Sequence, residues 1–157
     1  LENKEQAKFL RKKTQKFDFA KYSREEISDL VLRMRKTMEE ANGIGLAANQ
    51  VGLSERFFVA KWDDKFYAVF NPKLSKRSKE KEEIEEGCLS IPGKYGTVKR
   101  PAAVLLAGHN SSGKKVKIKA SDMLARIFQH EVDHLDGRLY IDRMSRWEKL
   151  KSRKQEE

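Results

Sequence analysis

Two histidines one helical turn apart, with a glutamate beside the first, form the most chemically suggestive segment of the chain. On an α-helix, residues four positions apart lie on the same face, so His130 and His134 could bind one metal ion. Glu131 would lie beside that ion as a general base. Two protein ligands do not complete a catalytic site, however, and the rest of the chain must supply a third.

Cys88, the single cysteine of the chain, is the candidate third ligand. A lone cysteine is most often a small buried apolar residue, but this one lies in a Gly-Cys-Leu-Ser segment. A set of two histidines and one cysteine leaves a fourth position for water, which is typical of catalytic sites. The thiolate suits Fe(II) as well as Zn(II). One cysteine precludes an internal disulfide and favours a reducing compartment.

Two helices are predicted with clear ends. Ser23 and Glu26 form a capping-box pattern before an apolar stripe of helical period, and Asn42-Gly43 ends that first helix. The helix that carries the histidines is predicted to begin after an N-cap at Ser121 and to end at Asp136-Gly137. Its apolar residues cover two adjacent faces, which indicates a central buried helix.

Strands are predicted from short apolar and β-branched runs, at 56–60, 66–70, 98–107, 115–119 and 139–141. Asn71-Pro72 is expected to end the second strand, and the charged residues 73–86 indicate edge strands or a solvated hairpin. We therefore expect an α+β fold in which antiparallel sheets pack around the central helix. A single domain is expected over 1–157, with a polar and basic segment at 1–22, in which 10–13 could dock as a strand or as an arm, and a charged C-terminal helix at 145–157.

A second uncharged segment, residues 43–52, stands out in a chain of which 37% is charged. Its residues are small and apolar, and its glycines would let a ligand or another backbone come close. Asn49 and Gln50 carry amide groups that a buried setting would require to be hydrogen-bonded. This segment is therefore the second candidate for a functional role.

The bulk composition excludes some classes of protein and leaves others open. The 157 residues carry a formal net charge of +10, which is compatible with partners that are polyanions. No apolar run approaches the roughly 20 residues that cross a bilayer, so no membrane span is expected. The first residues lack the layout of a secretory signal, and whether a targeting peptide preceded Leu1 is left open by the sequence.

Three segments together resemble peptide deformylase: residues 43–50 (GIGLAANQ), 86–90 (EGCLS) and 129–137 (QHEVDHLDG). They occur in the family's order, and the resemblance extends from about residue 23 to about residue 144. It implies an enzyme that hydrolyses the N-formyl group from the initiator formyl-methionine of new polypeptides and releases formate. It also implies one divalent ion bound by Cys88, His130 and His134, with Fe(II) as the native metal and Zn(II), Ni(II) or Co(II) as substitutes.

The resemblance further implies roles for individual residues. Glu131 would take a proton from a metal-activated water that attacks the formyl carbon, and would pass it to the leaving amine. The Gln50 side chain and the Leu89 N–H would donate hydrogen bonds to the oxyanion. The remaining predicted contacts are with the substrate, as an extended backbone or in a methionine pocket, and they fall on Ile44, Gly45, Gly87, Met123 and Ile127. For Ile127, a plain core position is an equally good interpretation.

Residues around the site receive weaker interpretations. Glu86 is expected to pair with Arg100 as a surface ion pair that contributes little stability, and Asn49 to hold loop geometry. Asp133 and Asp136 are interpreted as solvated residues near the helix end, with hydrogen bonding to groups around the metal ligands as the alternative. Tyr95 departs from the basic residue that many relatives have beside the substrate cleft, which leaves contacts to later substrate residues open.

Two alternatives remain on the sequence alone. One is a metal-dependent endopeptidase in which Cys88 is coincidental. The other is an RNA- or ribosome-binding protein with a structural metal, because seven basic and no acidic side chains lie between Lys94 and Lys119. That charge fits better as an addition to the enzyme, a surface for transient ribosome docking without sequence-specific recognition of nucleic acid. The expected location is a bacterial cytoplasm or an organelle matrix or stroma.

Overall fold

The computed structural model describes residues 3–154, in which five α-helices accompany two antiparallel sheets. The helices are α1 (Lys4–Leu10), α2 (Arg24–Glu40), α3 (Asp122–Leu135), α4 (Tyr140–Arg143) and α5 (Arg146–Lys154). The strands are β1 (Gly45–Ala47), β2 (Phe57–Trp62), β3 (Lys65–Ser75), β4 (Lys81–Cys88), β5 (Ile91–Pro101), β6 (Ala103–His109) and β7 (Lys115–Ser121). The larger sheet has the order β1-β2-β3-β6-β7, and β4 pairs with β5 in the smaller one. The predicted α+β class is confirmed.

The central helix α3 covers one face of the larger sheet, where it contacts all five strands. Phe128 of α3 packs against Phe58 and Tyr67, with ring centroids 5.7 and 5.3 Å away. Ten of its fourteen residues are buried, because the apolar stripe faces the sheet while the neighbouring stripe faces the smaller sheet. The prediction of a central buried helix is confirmed.

The opposite face of the larger sheet is covered only in part. Side chains alternate between the two faces of a strand, so Lys61 and Phe66 point away from α3. Helix α2 lies on that side, since Arg35 stacks on the Phe66 ring at 4.6 Å and Glu39 pairs with Lys61. This helix packs on β1 and β2. Residues Phe57 to Ala60 of β2 are therefore fully buried on both faces.

The first long helix begins and ends as the sequence predicts. The Ser23 hydroxyl accepts a hydrogen bond from the Glu26 N–H, and the Glu26 carboxylate accepts one from the Ser23 N–H. Asn42, with φ of +53°, turns the chain out of the helix. Because this exit leads directly into β1, α2 positions the uncharged segment at the edge of the larger sheet.

Two strand predictions are wrong in their limits. Strand β3 does not end at Asn71-Pro72 but continues to Ser75, through a register shift between Phe70 and Lys73. A bulge leaves residues unpaired, and it can therefore contain a proline, which has no N–H to donate. The predicted strand 98–107 is two strands in different sheets, because the chain passes from β5 to β6 at Ala102.

Two local predictions near the chain ends are also wrong. Residues 139–141 do not form a strand, because the Asp142 carboxylate accepts the Leu139 N–H (2.9 Å) and starts the short helix α4. Leu10 ends the helix α1, so the strand alternative for residues 10–13 is wrong and the arm alternative remains. Beyond it, Thr14 donates both its N–H and its hydroxyl to the Leu135 carbonyl, at 2.9 and 2.8 Å. The N-terminal segment is thereby attached to the end of α3.

Both ends of α3 lie where the sequence places them. Ser121 occupies the N-cap position, but its hydroxyl donates to the Asp122 carboxylate rather than capping the helix. Gly137, with φ of +74°, follows the last turn. The predicted C-terminal helix is described as α5, with the Ser145 hydroxyl accepting the Glu148 N–H, and residues 155–157 of that prediction lie outside the described part. No helix within residues 3–154 is long and apolar enough to cross a membrane.

Candidate metal centre

The structure brings the three predicted metal ligands to one point. Helix α3 presents the Nε2 atoms of His130 and His134, which lie 3.1 Å apart. Cys88 ends strand β4, and its Sγ lies 3.2 Å from the Nε2 atom of His134. All three donor atoms lie within 4.8 Å of one another. The spacing along α3 and the pairing of β4 with β5 thus produce one cluster from two distant segments.

These separations fit one small divalent ion. Metal–nitrogen bonds of about 2.0–2.1 Å and a metal–sulfur bond of about 2.3 Å in a tetrahedral site place ligand atoms about 3.3–3.6 Å apart. The observed 3.1 and 3.2 Å are close to that spacing. Nitrogen and thiolate donors suit Zn(II) and Fe(II). The three residues therefore form a chemically reasonable His2Cys site.

The electrostatics of the cluster favour a positive charge between the donors. Burial lowers the pKa of His130, but hydrogen bonds to Cys88 and Glu86 outweigh it and raise that pKa to about 10. Burial and the neighbouring charge of His130 lower the pKa of His134 to about 3. The acidic groups around His130 thus favour a positive charge at this point, and a metal cation bound by both neutral rings through Nε2 would supply it.

Neighbouring groups hold the ligands in their orientation. The Glu86 carboxylate lies 3.0 Å from the Nδ1 atom of His130, which directs the Nε2 lone pair of that ring towards the cluster. The Ser90 N–H donates to the Cys88 sulfur at 3.4 Å. The Asn49 side chain donates to the His134 carbonyl at 2.6 Å, so Asn49 ties the uncharged segment to α3 in addition to shaping its own loop.

Glu131 has the surroundings of a general base. Its carboxylate is buried, and its Oε2 atom has no hydrogen-bond partner among the described residues. Burial raises its pKa to about 7, although the charges of His130 and Arg100 act in the opposite direction. Such a value allows a carboxylate to accept and return a proton near neutral pH. Gly45 makes room for it, because a β-carbon at that position would lie 2.8 Å from the Glu131 Cδ.

Gln50 is fixed beside the cluster by both ends of its amide. Its Oε1 accepts the Ala47 N–H at 2.9 Å, which identifies the other atom as the donor. That Nε2 donates to the Ser90 hydroxyl at 3.0 Å and lies 3.6 Å from the Cys88 sulfur. Leu89 lies in the turn between Cys88 and Ser90. The amide of Gln50 is therefore held next to the metal ligands with its N–H groups facing them.

A cavity of about 510 Å³ opens beside the cluster. Every residue predicted to contact the substrate lines it: Ile44, Gly45, Gly87, Met123 and Ile127. The candidate catalytic residues Gln50, Leu89 and Glu131 line it too, together with the ligands Cys88 and His130. His134 belongs to the cluster but not to the cavity wall. Ile127 is both a core residue, 3% exposed, and a wall of the cavity.

Glu86 and Arg100 pair as predicted, but their interpretation as a surface pair is wrong, because both are buried. Arg100 is 4% exposed, and its guanidinium binds the Glu86 carboxylate with two hydrogen bonds of 2.6 and 3.0 Å. The same guanidinium donates to Asp133 at 2.8 Å, and Arg143 binds Asp133 from the other side at 2.7 Å. Asp133 is thus a buried bridge rather than a solvated helix-end residue. Burial raises the pKa of Glu86, but hydrogen bonds from His130 and Arg100 outweigh it and lower that pKa to about 2.

Asp136, the other residue interpreted as solvated, is half-buried and pairs with Arg56 at 2.8 Å. Sequence reasoning missed Arg126 altogether. It donates to Glu86 at 2.6 Å and to the Val98 carbonyl at 2.9 Å, and it is 4% exposed. A signal was present, because Arg126 lies four residues before His130, on the buried metal stripe, where a cation requires a partner.

Tyr95 remains at the rim of the cavity, where it is 62% exposed. It lies opposite Gly87 in the β4–β5 pair, and a β-carbon on Gly87 would lie 2.7 Å from the Tyr95 ring. The glycine therefore lets the ring lie flat over the end of β4. This ring forms part of the cavity wall.

The fold and the site together define a metal-dependent hydrolase, in which a His-Glu-x-x-His helix and a distant cysteine line one cavity. A model of the polypeptide deformylase family matches residues 3–150, a wider span than the three motif segments. The chain belongs to this family, and it is therefore an enzyme, a deformylase hydrolase.

Individual relatives agree with this assignment. The peptide deformylase of Natranaerobius thermophilus is 44% identical over 120 residues, which are 76% of this chain and 77% of that protein. The one from Acetivibrio thermocellus is 42% identical over 138 residues, covering 88% and 79%. The crystal structure of peptide deformylase from Thermotoga maritima superposes with a TM-score of 0.81 at 38% identity, covering 87% of this chain and 91% of that one. A Synechococcus elongatus deformylase in complex with actinonin gives a TM-score of 0.86 at 34% identity, covering 94% and 80%.

Proposed function

We propose that this enzyme removes the N-formyl group from the initiator formyl-methionine of newly made polypeptides and releases formate. The observation that carries the proposal is the buried carboxylate of Glu131. It lies next to the metal ligand His130 and fills the space that the missing side chain of Gly45 leaves. A general base in that position can serve a reaction at the metal while a peptide backbone passes over the glycine. Substrates of this family are formylated nascent peptides.

Cys88, His130 and His134 would hold one divalent ion, Fe(II) in its native form, with Zn(II), Ni(II) or Co(II) as substitutes. When bound, such an ion supplies Lewis acidity and lowers the pKa of water for hydrolysis. The hydrogen bond between Glu86 and His130 keeps that imidazole in the tautomer that leaves Nε2 free. The metal site thus depends on the segment with Cys88, on the helix with the two histidines and on the buried Glu86.

Glu131 acts as the proton carrier in this proposal. Its unpartnered Oε2 accepts the proton of the attacking water and afterwards returns it to the leaving amine of methionine. The pKa of about 7 permits both steps at the same pH. A carboxylate with an ordinary pKa is a weaker base and would accept the proton of the water less readily. At neutral pH it would also hold that proton, for return to the amine, in only a small fraction of the molecules.

Two donors would stabilise the oxyanion that develops on the formyl oxygen. The Nε2 of Gln50 already faces the cluster, and the Leu89 N–H lies in the turn after Cys88. Loss of one such donor costs on the order of 10²–10³ in rate. The half-buried amide of Gln50, fixed at both ends by hydrogen bonds, needs little reorganisation to serve this purpose.

The substrate would bind as an added strand. β1 is an edge strand of the larger sheet, so one side of Gly45 and its neighbours is open for main-chain hydrogen bonds. Gly87 at the end of β4 lies across the cavity from it. The methionine side chain would enter the cavity between Ile44, Ile127 and Met123. A formyl group would be preferred to an acetyl group because the extra methyl must be excluded near the metal.

The decisive experiment is formate release from a formyl-Met peptide by anaerobically prepared Fe(II) enzyme, with Glu131→Gln as the control variant. We expect turnover by the wild type and a loss of several orders of magnitude in kcat for the variant, while the metal content stays unchanged. Activity that survives the substitution would refute the role of Glu131. Cleavage of internal peptide bonds in an unformylated peptide would instead favour the competing endopeptidase.

We further propose a setting for the enzyme. The single thiol at the metal site calls for a reducing compartment, a bacterial cytoplasm or an organelle matrix or stroma. The net charge of +10 suits transient docking on ribosomes, where nascent chains emerge. Ribosome association that does not weaken with rising salt would contradict docking through charge.

A further inference from the structure

A basic face of the larger sheet has no role in the site described above. Helix α2 packs on β1 and β2 on the side away from α3. Beyond them, the same side of the sheet carries four exposed lysines, one on β3 and three on β7: Lys73, Lys115, Lys117 and Lys119. We call these four lysines the basic face.

The strand register places the four side chains in one patch. Ala107 of β6 pairs with Lys73 on one side and Lys117 on the other, so these two lysines flank one small residue. Ser75 and Lys119 flank Leu105 in the next row in the same way. At about 3.4 Å per residue and about 4.8 Å between strands, the patch measures roughly 13 by 10 Å.

The loop between β3 and β4 extends this patch. Its backbone runs beside the start of β6, where the Ser78 N–H donates to the Ala103 carbonyl at 2.9 Å. It carries three further exposed basic residues, Lys76, Arg77 and Lys79, and Lys114 lies at the opposite end beside β7. The basic surface therefore arises from two separate segments, 73–79 and 114–119.

Acidic side chains do not neutralise this surface. Residues 103–121 contain no Asp or Glu, and residues 73–81 contain only Glu80. Within residues 3–154, none of the eight basic side chains of the patch forms an ion pair. By contrast, the other basic residues of the 94–119 run include Arg100, which is buried with its acids, and Lys99, which pairs with Glu83. The β7 half of that run is exposed and forms no ion pair within the described residues.

We propose that the basic face binds the phosphate backbone of double-stranded RNA. A membrane is a poorer partner, because Ala107 and the half-buried Leu105 lie between the lysines and the face carries no large exposed apolar side chain to insert. Single-stranded RNA is poorer too, since no aromatic ring lies between the lysine rows to stack on bases. A flat surface can approach the wide, shallow minor groove of an A-form duplex, where the Ser75 hydroxyl could reach a 2′-hydroxyl.

The position of the face is compatible with catalysis. β7 and β1 form opposite edges of the five-stranded sheet, which places them about 19 Å apart at about 4.8 Å per strand. RNA on the basic face would leave the cavity beside Gly45 open for a peptide. RNA binding by the basic face does not depend on the chemistry of the site, and it rests on the proposed function only for the setting, which is transient docking on ribosomes.

Lysines on an edge strand also have a simpler explanation, namely protection against edge-to-edge association. Lys73 is not explained in this way, because β3 lies inside the sheet between β2 and β6. The same holds for the three basic residues of the loop that follows it. A test must therefore change the β3 side and the β7 edge separately.

The experiment measures binding of a labelled 20-base-pair RNA duplex by fluorescence anisotropy over a series of salt concentrations. The first variant replaces the three β7 lysines 115, 117 and 119 by Gln, and the second replaces Lys73, Lys76, Arg77 and Lys79 by Gln. A control variant replaces four exposed basic residues elsewhere, Lys8, Lys12, Lys13 and Lys65, and lowers the net charge by four, as the second variant does. Formate release by each variant reports whether the fold and the site are intact.

We expect the two face variants to bind the duplex at least about tenfold more weakly at 100 mM salt, with a salt slope lower by about one per lost phosphate contact. The control should bind like the wild type, and Glu131→Gln should do so as well, which separates this proposal from the proposed catalysis. Wild-type binding by the second variant would overturn the proposal, and so would an equal loss in the control. Equal affinity for a DNA duplex would overturn the assignment to RNA. If the first variant aggregates while the second binds RNA like the wild type, the β7 lysines serve to protect the sheet edge and the proposal fails.

Discussion

The hydroxyl of Ser90 provides the most discriminating test of how the oxyanion donor is held. Gln50 is anchored through its Oε1 by the Ala47 N–H, and through its Nε2 by the Ser90 hydroxyl at 3.0 Å. Ser90→Ala removes the second anchor while the first remains. The amide then gains freedom to rotate, and its remaining N–H points less consistently at the formyl oxygen.

The expected loss is moderate. One neutral hydrogen bond contributes about 0.5–1.5 kcal/mol, which corresponds to about 2–13-fold in kcat. Complete removal of the donor in Gln50→Ala should cost on the order of 10²–10³. Ser90→Thr keeps a hydroxyl at the same place and should retain most of the activity. KM should change little in all three variants, because the donor acts on charge that develops in the transition state.

The assay is steady-state formate release from a formyl-Met peptide by metal-loaded protein, with the metal content measured for each variant. The double variant Ser90→Ala/Gln50→Ala completes a cycle. If Ser90 acts through Gln50, its replacement has no further effect once Gln50 is gone. Additive losses, or a Ser90→Ala variant as inactive as Gln50→Ala, would refute this reasoning and indicate that Ser90 supports the Cys88 loop instead.

Three further substitutions and one treatment test the surrounding structure. Gly45→Ala should lower kcat/KM by about 10²-fold with little change in the melting temperature, because its β-carbon displaces the general base; full activity would contradict the close approach. Arg126→Met leaves Glu86 with one partner fewer and should lower the free energy of unfolding by about 3 kcal/mol in urea titrations, whereas an unchanged midpoint would show that the pair is dispensable. Asn49→Ala should lower the free energy of unfolding by about 0.5–1.5 kcal/mol, since the buried His134 carbonyl loses the Asn49 donor and keeps the Gly137 N–H, and a stability equal to wild type in thermal denaturation would contradict this. Removal of the metal by a chelator should lower the melting temperature and abolish activity, both restored by Fe(II) or Zn(II); a chelated protein with unchanged melting temperature would argue against binding at this cluster.

Much of the fold could be predicted because local signals were strong. The capping box of Ser23 and Glu26 and the apolar stripe behind it define α2, and the apolar faces of 122–135 define α3. Predictions failed where tertiary contacts determined the conformation of the backbone. At Asn71, for example, the side chain holds the Phe17 N–H and carbonyl at 2.8 and 3.0 Å, and the strand continues past a proline that normally ends one.

Residue types and their spacing were enough to predict the chemistry of the site. Histidines four apart share a helix face in any fold, so the motif predicted a two-ligand site with an adjacent base. The single cysteine, Cys88, was the candidate third ligand, and the resemblance added Gln50 as an oxyanion donor. It could not determine the surroundings, because burial and partners depend on packing between distant segments. Arg100 had the sequence context of a surface residue.

Only the tertiary structure placed Arg100 between Glu86 and Asp133, and added Arg126 to the same carboxylate. The fold also divides the basic residues between Lys94 and Lys119 between the two sheets. Those on β7 lie on the same side as Lys73 of β3, and together they form a face that no single segment contains. The physical reason is the same in both cases. The type and spacing of residues set what a group can do, whereas the distance to its partners and its access to water set what it does.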